Sequence, residues 1–309
     1  MTSRVPASRV RGAALVLAML VAALAATVAV SLAAGQQQWF AGVTLRADQV
    51  QAQTFAQAGV EWARQIMFED VRTTRTDHLG EPWALTLPAT PIESGSIQGS
   101  IVDAQGLLNV NLLGAQGALA QLERTRFERL FARLNLPVAS LDAIGDWVDS
   151  DGDARPAGGE DAWYRQQPSP TLAANAPIVR LAELSVVRGF TPETVAALAP
   201  YVTALPGETK LNVNTASPAV LAAALPGLDD GALTALVASR KANPFRDLAD
   251  FRGRLPTGVT LENEAAFAVA SDFFIVTVIA RQGPALAQAR ALLRRGSGVW
   301  PQVVWQTIE

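Results

Sequence analysis

Residues 11–38 read R-G-A-A-L-V-L-A-M-L-V-A-A-L-A-A-T-V-A-V-S-L-A-A-G-Q-Q-Q, and this stretch decides how the rest of the chain is placed. No charge interrupts the 22 residues from Ala13 to Ala34. At about 1.5 Å of rise per residue, a helix of that length covers the roughly 30 Å hydrocarbon core of a bilayer. Arg4, Arg9 and Arg11 precede it and no acid does. The positive excess sets the N-terminus in the cytoplasm and the bulk of the chain on the far side. Residues 13–38 therefore read as a transmembrane helix.

Two readings of the segment compete. A cleaved secretory signal has an apolar core of about 7 to 15 residues and small residues before the cut, and S-L-A-A-G at 31–35 offers such a site. The other reading is a retained helix behind a short basic leader, residues 1–12, which ends in R-G and is cut between Gly12 and Ala13. Segment length and flanks favour retention. A leader of this form resembles the prepilin leader of type IV pilins and type II secretion pseudopilins. In most such subunits the fifth residue after the cut is a glutamate that neutralises a neighbour's terminal amine, whereas here it is Leu17. The minor pseudopilin class lettered K resembles this chain in lacking it, which suits a subunit with no neighbour beyond it. A plain membrane anchor also accommodates leucine.

Composition narrows the choice. At 309 residues the chain has room for two domains. Loss of residues 1–12 removes three of 25 basic residues and none of 28 acidic ones, leaving a net charge of −6. An acidic exported protein is a poor polyanion binder. With no cysteine in the chain, no disulfide framework holds it, although an exported compartment permits one.

From Trp39 to Arg72 the chain has no proline, and Phe40, Val43, Ala47, Val50, Phe55, Ala58, Trp62, Ile66 and Met67 recur at helical spacing. The membrane helix continues outward and lays its distal half on a globular head. Thr73 to Ser94, with Pro82, Pro88 and Pro91, reads as a loop. His78, the only histidine, has no partner for a metal site or a nucleophile dyad. Ile97, Gly99 and Ile101 alternate up to D-A-Q-G at 103–106, a hairpin pattern. Asp103, Gly106, Asn109 and Asn111 form D-x-x-G-x-x-N-x-N, which resembles a segment of the K class.

Residues 113–265 turn helical. One amphipathic helix carries Leu119, Leu122, Phe127, Leu130, Phe131 and Leu134. Others start near Ser140, span Leu181–Val187 and Thr191–Pro200, and follow Ser217. L-N-V-N occurs twice, at 108–111 and 211–214, each time ahead of a helix. The second copy leads into a unit that looks like a helix-hairpin-helix, with its hairpin at Leu225–Asp230. In nucleic-acid binders such a hairpin aims N–H groups at a phosphate, but Asp229 and Asp230 stand where the phosphate would approach. As a packing module it needs no nucleic acid. Residues 266–309 return to strands, the Ala/Leu/Arg run at 285–295 included because its flanking turns are short.

One stretch carries chemistry. D-W-V-D-S-D-G-D-A-R-P-A-G-G-E-D at 146–161 holds six carboxylates and one arginine, Arg155. Asp149, Asp151 and Asp153 are spaced i, i+2, i+4 and Glu160 falls twelfth from Asp149, matching EF-hand ligand positions, except that Ala154 stands where the sharp-turn glycine belongs. Hard oxygen donors favour Ca²⁺, with Asp149, Asp151, Asp153, Glu160 and Asp161 as ligands and Asp146 a sixth candidate. An acidic solvated turn and a carboxylate pair for glycoside hydrolysis are the competing readings. With Trp163 and Tyr164 following, the stretch is similar to the calcium segment of the K class.

Leader, long helix, motif, acid loop, helical block and terminal strands stand in the order of a type II secretion minor pseudopilin of the K class. The resemblance implies an α+β fold, a pilin-like long N-terminal helix on an antiparallel sheet, interrupted by a large all-helical insertion. Residues 39–112 and 266–309 would form the pilin-like head around 113–265. It implies a non-enzymatic tip subunit, anchored in the inner membrane with its head in the periplasm. Its partners would be the prepilin peptidase and the I and J class minor pseudopilins, with neither nucleic acid nor a small-molecule substrate. An anchored hydrolase using the acid loop and a tethered DNA receptor using the helix-hairpin-helix are the alternatives.

Overall fold

The computed structural model describes residues 8–259, 261–296 and 299–309, with side chains from residue 12 onward; residues 1–7 of the expected leader, Arg4 among them, lie outside the described residues. The first helix, α1, runs unbroken from Ser8 to Thr73. No proline falls between Pro6 and Pro82 and alanine is the commonest residue, so nothing in the sequence ends the helix earlier. Its 66 residues span about 100 Å. Gly12 to Ala47 is exposed throughout. Beyond that, Ala52, Ala56, Val60, Ala63 and Met67 form one buried face.

That face is rotated from the expected stripe. Val50, Ala58 and Trp62 are exposed, while Phe55 and Ile66 flank the contact. Close approach explains the selection of small residues. A Cβ on Gly59 would lie 2.6 Å from Val278 Cγ1, so the helix reaches the sheet only because residue 59 lacks one.

Strands β1 (Leu87–Ile92) and β2 (Gly95–Asp103) form a hairpin that closes at Ile92 opposite Gly95. Two expectations are corrected here. The segment expected to be a loop contains a strand, whose prolines are tolerated because β1 lies at the sheet edge. D-A-Q-G is not a hairpin turn: Asp103 accepts from the N–H of Gln105 at 2.8 Å and opens a 3₁₀ turn, Ala104–Gly106, that leads the chain out of the sheet.

The helical region follows. It comprises β3 (Leu108–Asn109), α2 (Gly117–Arg133), α3 (Leu141–Val148), α4 (Asp161–Tyr164), α5 (Pro192–Leu198), β4 (Val202–Thr203), β5 (Leu211–Asn212), α6 (Pro218–Ala224), α7 (Asp230–Ala242), α8 (Leu248–Gly253) and β6 (Phe267–Ala268). Leu181–Val186 is 3₁₀ rather than α. The region is not wholly helical, because β3 pairs in parallel with β4 and β5 with β6.

These short pairs explain the repeated L-N-V-N. Asn111 accepts from the N–H of Ile178 at 2.8 Å and donates to its carbonyl at 2.9 Å. Asn214 does the same to Phe245, at 2.8 and 2.9 Å. Asn109 and Asn212 each accept from the N–H two residues on. A side-chain amide offers a donor and an acceptor together, as a peptide group does, so each copy fastens a distant backbone segment to its short strand. The two units share one core, in which Phe127, Leu130 and Phe131 of α2 cluster with Val220 and Leu221 of α6.

The chain returns through β7 (Phe273–Gln282), β8 (Ala285–Gly296) and β9 (Val299–Ile308), giving an antiparallel sheet ordered β1-β2-β7-β8-β9 among the described residues. The Ala/Leu/Arg run forms β8 as expected: Ala285, Ala287, Ala289 and Ala291 alternate toward α1, and pairing on both edges overrides their helical preference.

Candidate metal centre

The acid loop is built on α3, whose residues are all buried. Its last turn carries Asp146, fully buried, and Asp149 caps the end. The loop closes at Glu160, and α4 stacks Tyr164 edge-on against Trp147 at 5.1 Å between ring centroids. Arg155 folds back across the loop. Its N–H donates to Asp146 Oδ2 at 3.0 Å, and its Nη1 donates to both Asp146 Oδ1 and Asp149 Oδ2 at 2.6 Å. Gly158 allows this closure, since a Cβ there would fall 1.9 Å from Asp146 Oδ2. Asp142 binds Arg124 at 2.7 Å and accepts from the N–H of Ala157 at 3.2 Å, and Arg188 donates to the Gly158 carbonyl.

Of the predicted ligands, the fold gathers Asp149, Asp151 and Glu160, each offering an oxygen within 4.8 Å of the other two. Asp153 is exposed outside this group, its N–H donating to Asp151 Oδ1 at 3.0 Å. Asp161 lies at the start of α4, pairs with Arg165 at 2.8 Å and accepts from the N–H of Ala173 at 3.1 Å. Asp146 is committed to Arg155.

Asp149 and Glu160 are buried, yet Asp149 Oδ1 and both oxygens of Glu160 have no hydrogen-bond partner among the described residues. Buried carboxylate oxygens without partners are costly. Burial, reinforced by Asp146, Asp149, Asp151 and Asp161, pushes Glu160 up to about 7. Three orphaned oxygens facing a third carboxylate fit a hard divalent cation. Such an ion would be held by Asp149, Asp151 and Glu160.

A second group, which sequence reasoning missed, joins Asp70, Asp77 and Glu81. It already holds a cation. Arg295 donates to Asp70 at 2.5 Å and to Asp77 at 2.6 Å. Glu81 accepts from Thr74 Oγ1, the N–H of His78 and Trp83 Nε1. Beside it, Asp103 Oδ2 accepts from Thr215 Oγ1 at 2.6 Å, Ser271 Oγ at 2.7 Å and Asn212 Nδ2 at 2.9 Å. The network fastens the end of α1 and the end of β2 to the second asparagine unit. Of its acidic residues, the sequence pattern singles out Asp103 alone, within its D-x-x-G motif.

At the helix-hairpin-helix, Gly227 takes φ +79° and Asp229 caps α7, accepting from the N–H of Ala232 at 2.8 Å. Asp230 pairs with Arg133 at 2.7 Å. A carboxylate thus occupies the helix end that a phosphate would use.

A helix of this length on an antiparallel sheet, with a helical region set between two of its strands, defines a pilin-like head carrying an insertion. Family models described as type II secretion system (T2SS), protein K, match residues 106–207 and 211–270. Their division falls at the joint between the two asparagine units. The chain is 30% identical over 304 residues to type II secretion system protein K of Klebsiella pneumoniae, covering 93% of each. It is 31% identical over 279 residues to that of Pseudomonas aeruginosa, covering 86% of this chain and 83% of the relative. It superimposes with a TM-score of 0.76 and 23% identity on a chain in the crystal structure of the GspK-GspI-GspJ complex from enterotoxigenic Escherichia coli, covering 85% of this chain and 98% of that one. The chain belongs to the type II secretion system protein K family.

Proposed function

We propose that this chain is a minor pseudopilin that closes the tip of a short periplasmic type II secretion fibre. Prepilin peptidase cuts between Gly12 and Ala13, and the retained helix holds the protein in the inner membrane until assembly with the I and J class minor pseudopilins. The observation that carries this is the exposed rod from Gly12 to Ala47. The first acid in the chain is Asp48, so the rod has no carboxylate for the amine of a subunit beyond it, as a terminal position requires. Its exposed Trp39, Phe40, Val43 and Leu45 are apolar surface for partner helices to cover. The GspK-GspI-GspJ complex that contains the superimposable chain supports these partners.

The acid loop binds Ca²⁺ through Asp149, Asp151 and Glu160, with Asp153 and Asp161 on its rim. The ion supplies stability rather than catalysis. The hydrolase reading uses the same carboxylates, but Asp146 and Asp149 are held by Arg155. The DNA-receptor reading needs the helix end that Asp229 fills.

N-terminal sequencing of the protein from membranes tests the reading. Ala13 as first residue, with the I and J class subunits co-purifying, is the expected result. A start near Gly35 overturns it.

A further inference from the structure

The loop contains its own cation, in contact with one of the residues that would ligate calcium. Asp149 belongs to two sets among the described residues. Its Oδ1 is unpartnered and it groups with Asp151 and Glu160, while its Oδ2 receives Nη1 of Arg155 at 2.6 Å. The same Nη1 holds Asp146 Oδ1 at 2.6 Å, and the Arg155 N–H holds Asp146 Oδ2 at 3.0 Å. Arg155 is thus anchored twice to a fully buried aspartate and once to the putting-together point of the acid group. The guanidinium lies against Gly145, where a Cβ would come within 2.9 Å of Nη1. A third of its side chain remains exposed to solvent.

From this geometry we propose that Arg155 is a built-in substitute for the metal: it neutralises Asp149 while calcium is absent and must release it when calcium enters. The inference rests on the calcium reading of the same loop. Nη1 already takes one lone pair of Asp149 Oδ2, and a guanidinium beside a divalent ion on the same carboxylate is repelled by it, so the ion and Arg155 compete for Asp149. Release leaves both contacts to Asp146 in place, so Arg155 lets go of Asp149 without leaving the loop. Arg155 is therefore a positioning residue with two opposed effects. It holds the empty loop together, and it weakens the affinity for calcium. Calcium occupancy then requires a concentration high enough to outcompete an internal charge.

The test uses the full-length protein in detergent, stripped with EGTA and titrated calorimetrically with calcium, as wild type, Arg155→Gln and Arg155→Lys. Arg155→Gln is expected to bind calcium about tenfold more tightly, the scale of one lost charge-assisted hydrogen bond. It should melt below wild type in EGTA and regain most of that difference in saturating calcium. Arg155→Lys, which keeps the charge and loses the fork, should fall between. If Arg155→Gln is unfolded in EGTA, its recovery on adding calcium supports the proposal and Arg155→Lys supplies the affinity comparison. Equal or weaker calcium binding by the variants, with wild type binding normally, overturns the role given to Arg155 and leaves the calcium reading standing. Absence of binding by all three overturns both.

Discussion

Asn212 donates through Nδ2 to Asp103 Oδ2 at 2.9 Å, so the second asparagine unit is tied directly to the last residue of β2. The same amide also reaches the Asp77 carbonyl at 3.1 Å and Ser271 Oγ at 2.9 Å. Replacing Asn212 with alanine leaves those buried acceptors short of a donor. The expected cost is about 2 to 4 kcal/mol, read as a lower Tm of the full-length protein in detergent. A change below 1 °C would show that the junction contributes little.

Stability should rise on mild acidification. Burial pushes Asp103 up to about 6 against its hydrogen bonds from Thr215 and Ser271, and pushes Asp70 up to about 6, with Glu81 adding and Arg295 opposing. Ordinary aspartates titrate near 4. Each group therefore holds its proton more tightly in the folded state, and its contribution is complete below about pH 4 and lost as pH rises through about 6. For Asp103 this is on the order of 1 kcal/mol between pH 7.5 and 5. The Tm in EGTA, compared at those two values, should show a smaller gain for Asp103→Asn than for wild type.

Calcium should act through Asp151 more than through Asp153. At a free concentration one hundred times Kd, one ion stabilises by about 2.7 kcal/mol, which for a chain of this size is roughly 5 °C. Asp151→Asn should abolish that rise, while Asp153→Asn, outside the three-carboxylate group, should keep most of it. Equal losses would place Asp153 among the ligands.

Gly59→Val should loosen the contact between α1 and the sheet. The new side chain would overlap Val278 and Ile97, at a cost of about 1 to 3 kcal/mol. Gly42→Ala on the exposed part of the same helix, where a Cβ meets nothing within 4 Å, should leave the head's melting unchanged. Comparable losses at both positions would contradict the close approach at residue 59.

Residues whose neighbours lie nearby in sequence were legible. The unbroken helix through 13–34, the amphipathic helix α2 and the crowding of acids at 146–161 all follow from local pattern. The sheet side of α1 was not, because close approach selects alanine and glycine, which a search for large apolar residues passes over. The prolines at 88 and 91 hid β1, since edge position is a tertiary property. Arg295 gave no signal of its own, since its partners Asp70 and Asp77 lie more than two hundred residues away. The acid loop reads as five ligands, Asp149, Asp151, Asp153, Glu160 and Asp161, with Asp146 a sixth candidate; what the pattern does not show is that the fold brings Asp149, Asp151 and Glu160 together while Asp161 pairs with Arg165 and Asp146 with Arg155.

Asp103 and Phe274 face each other across β2 and β7, so everything between them enters and leaves the sheet through one doorway. The lobe is also fastened just past the end of α1, where Asn212 Nδ2 donates to the Asp77 carbonyl at 3.1 Å. A change of shape in the lobe is therefore felt where the long helix leaves the sheet.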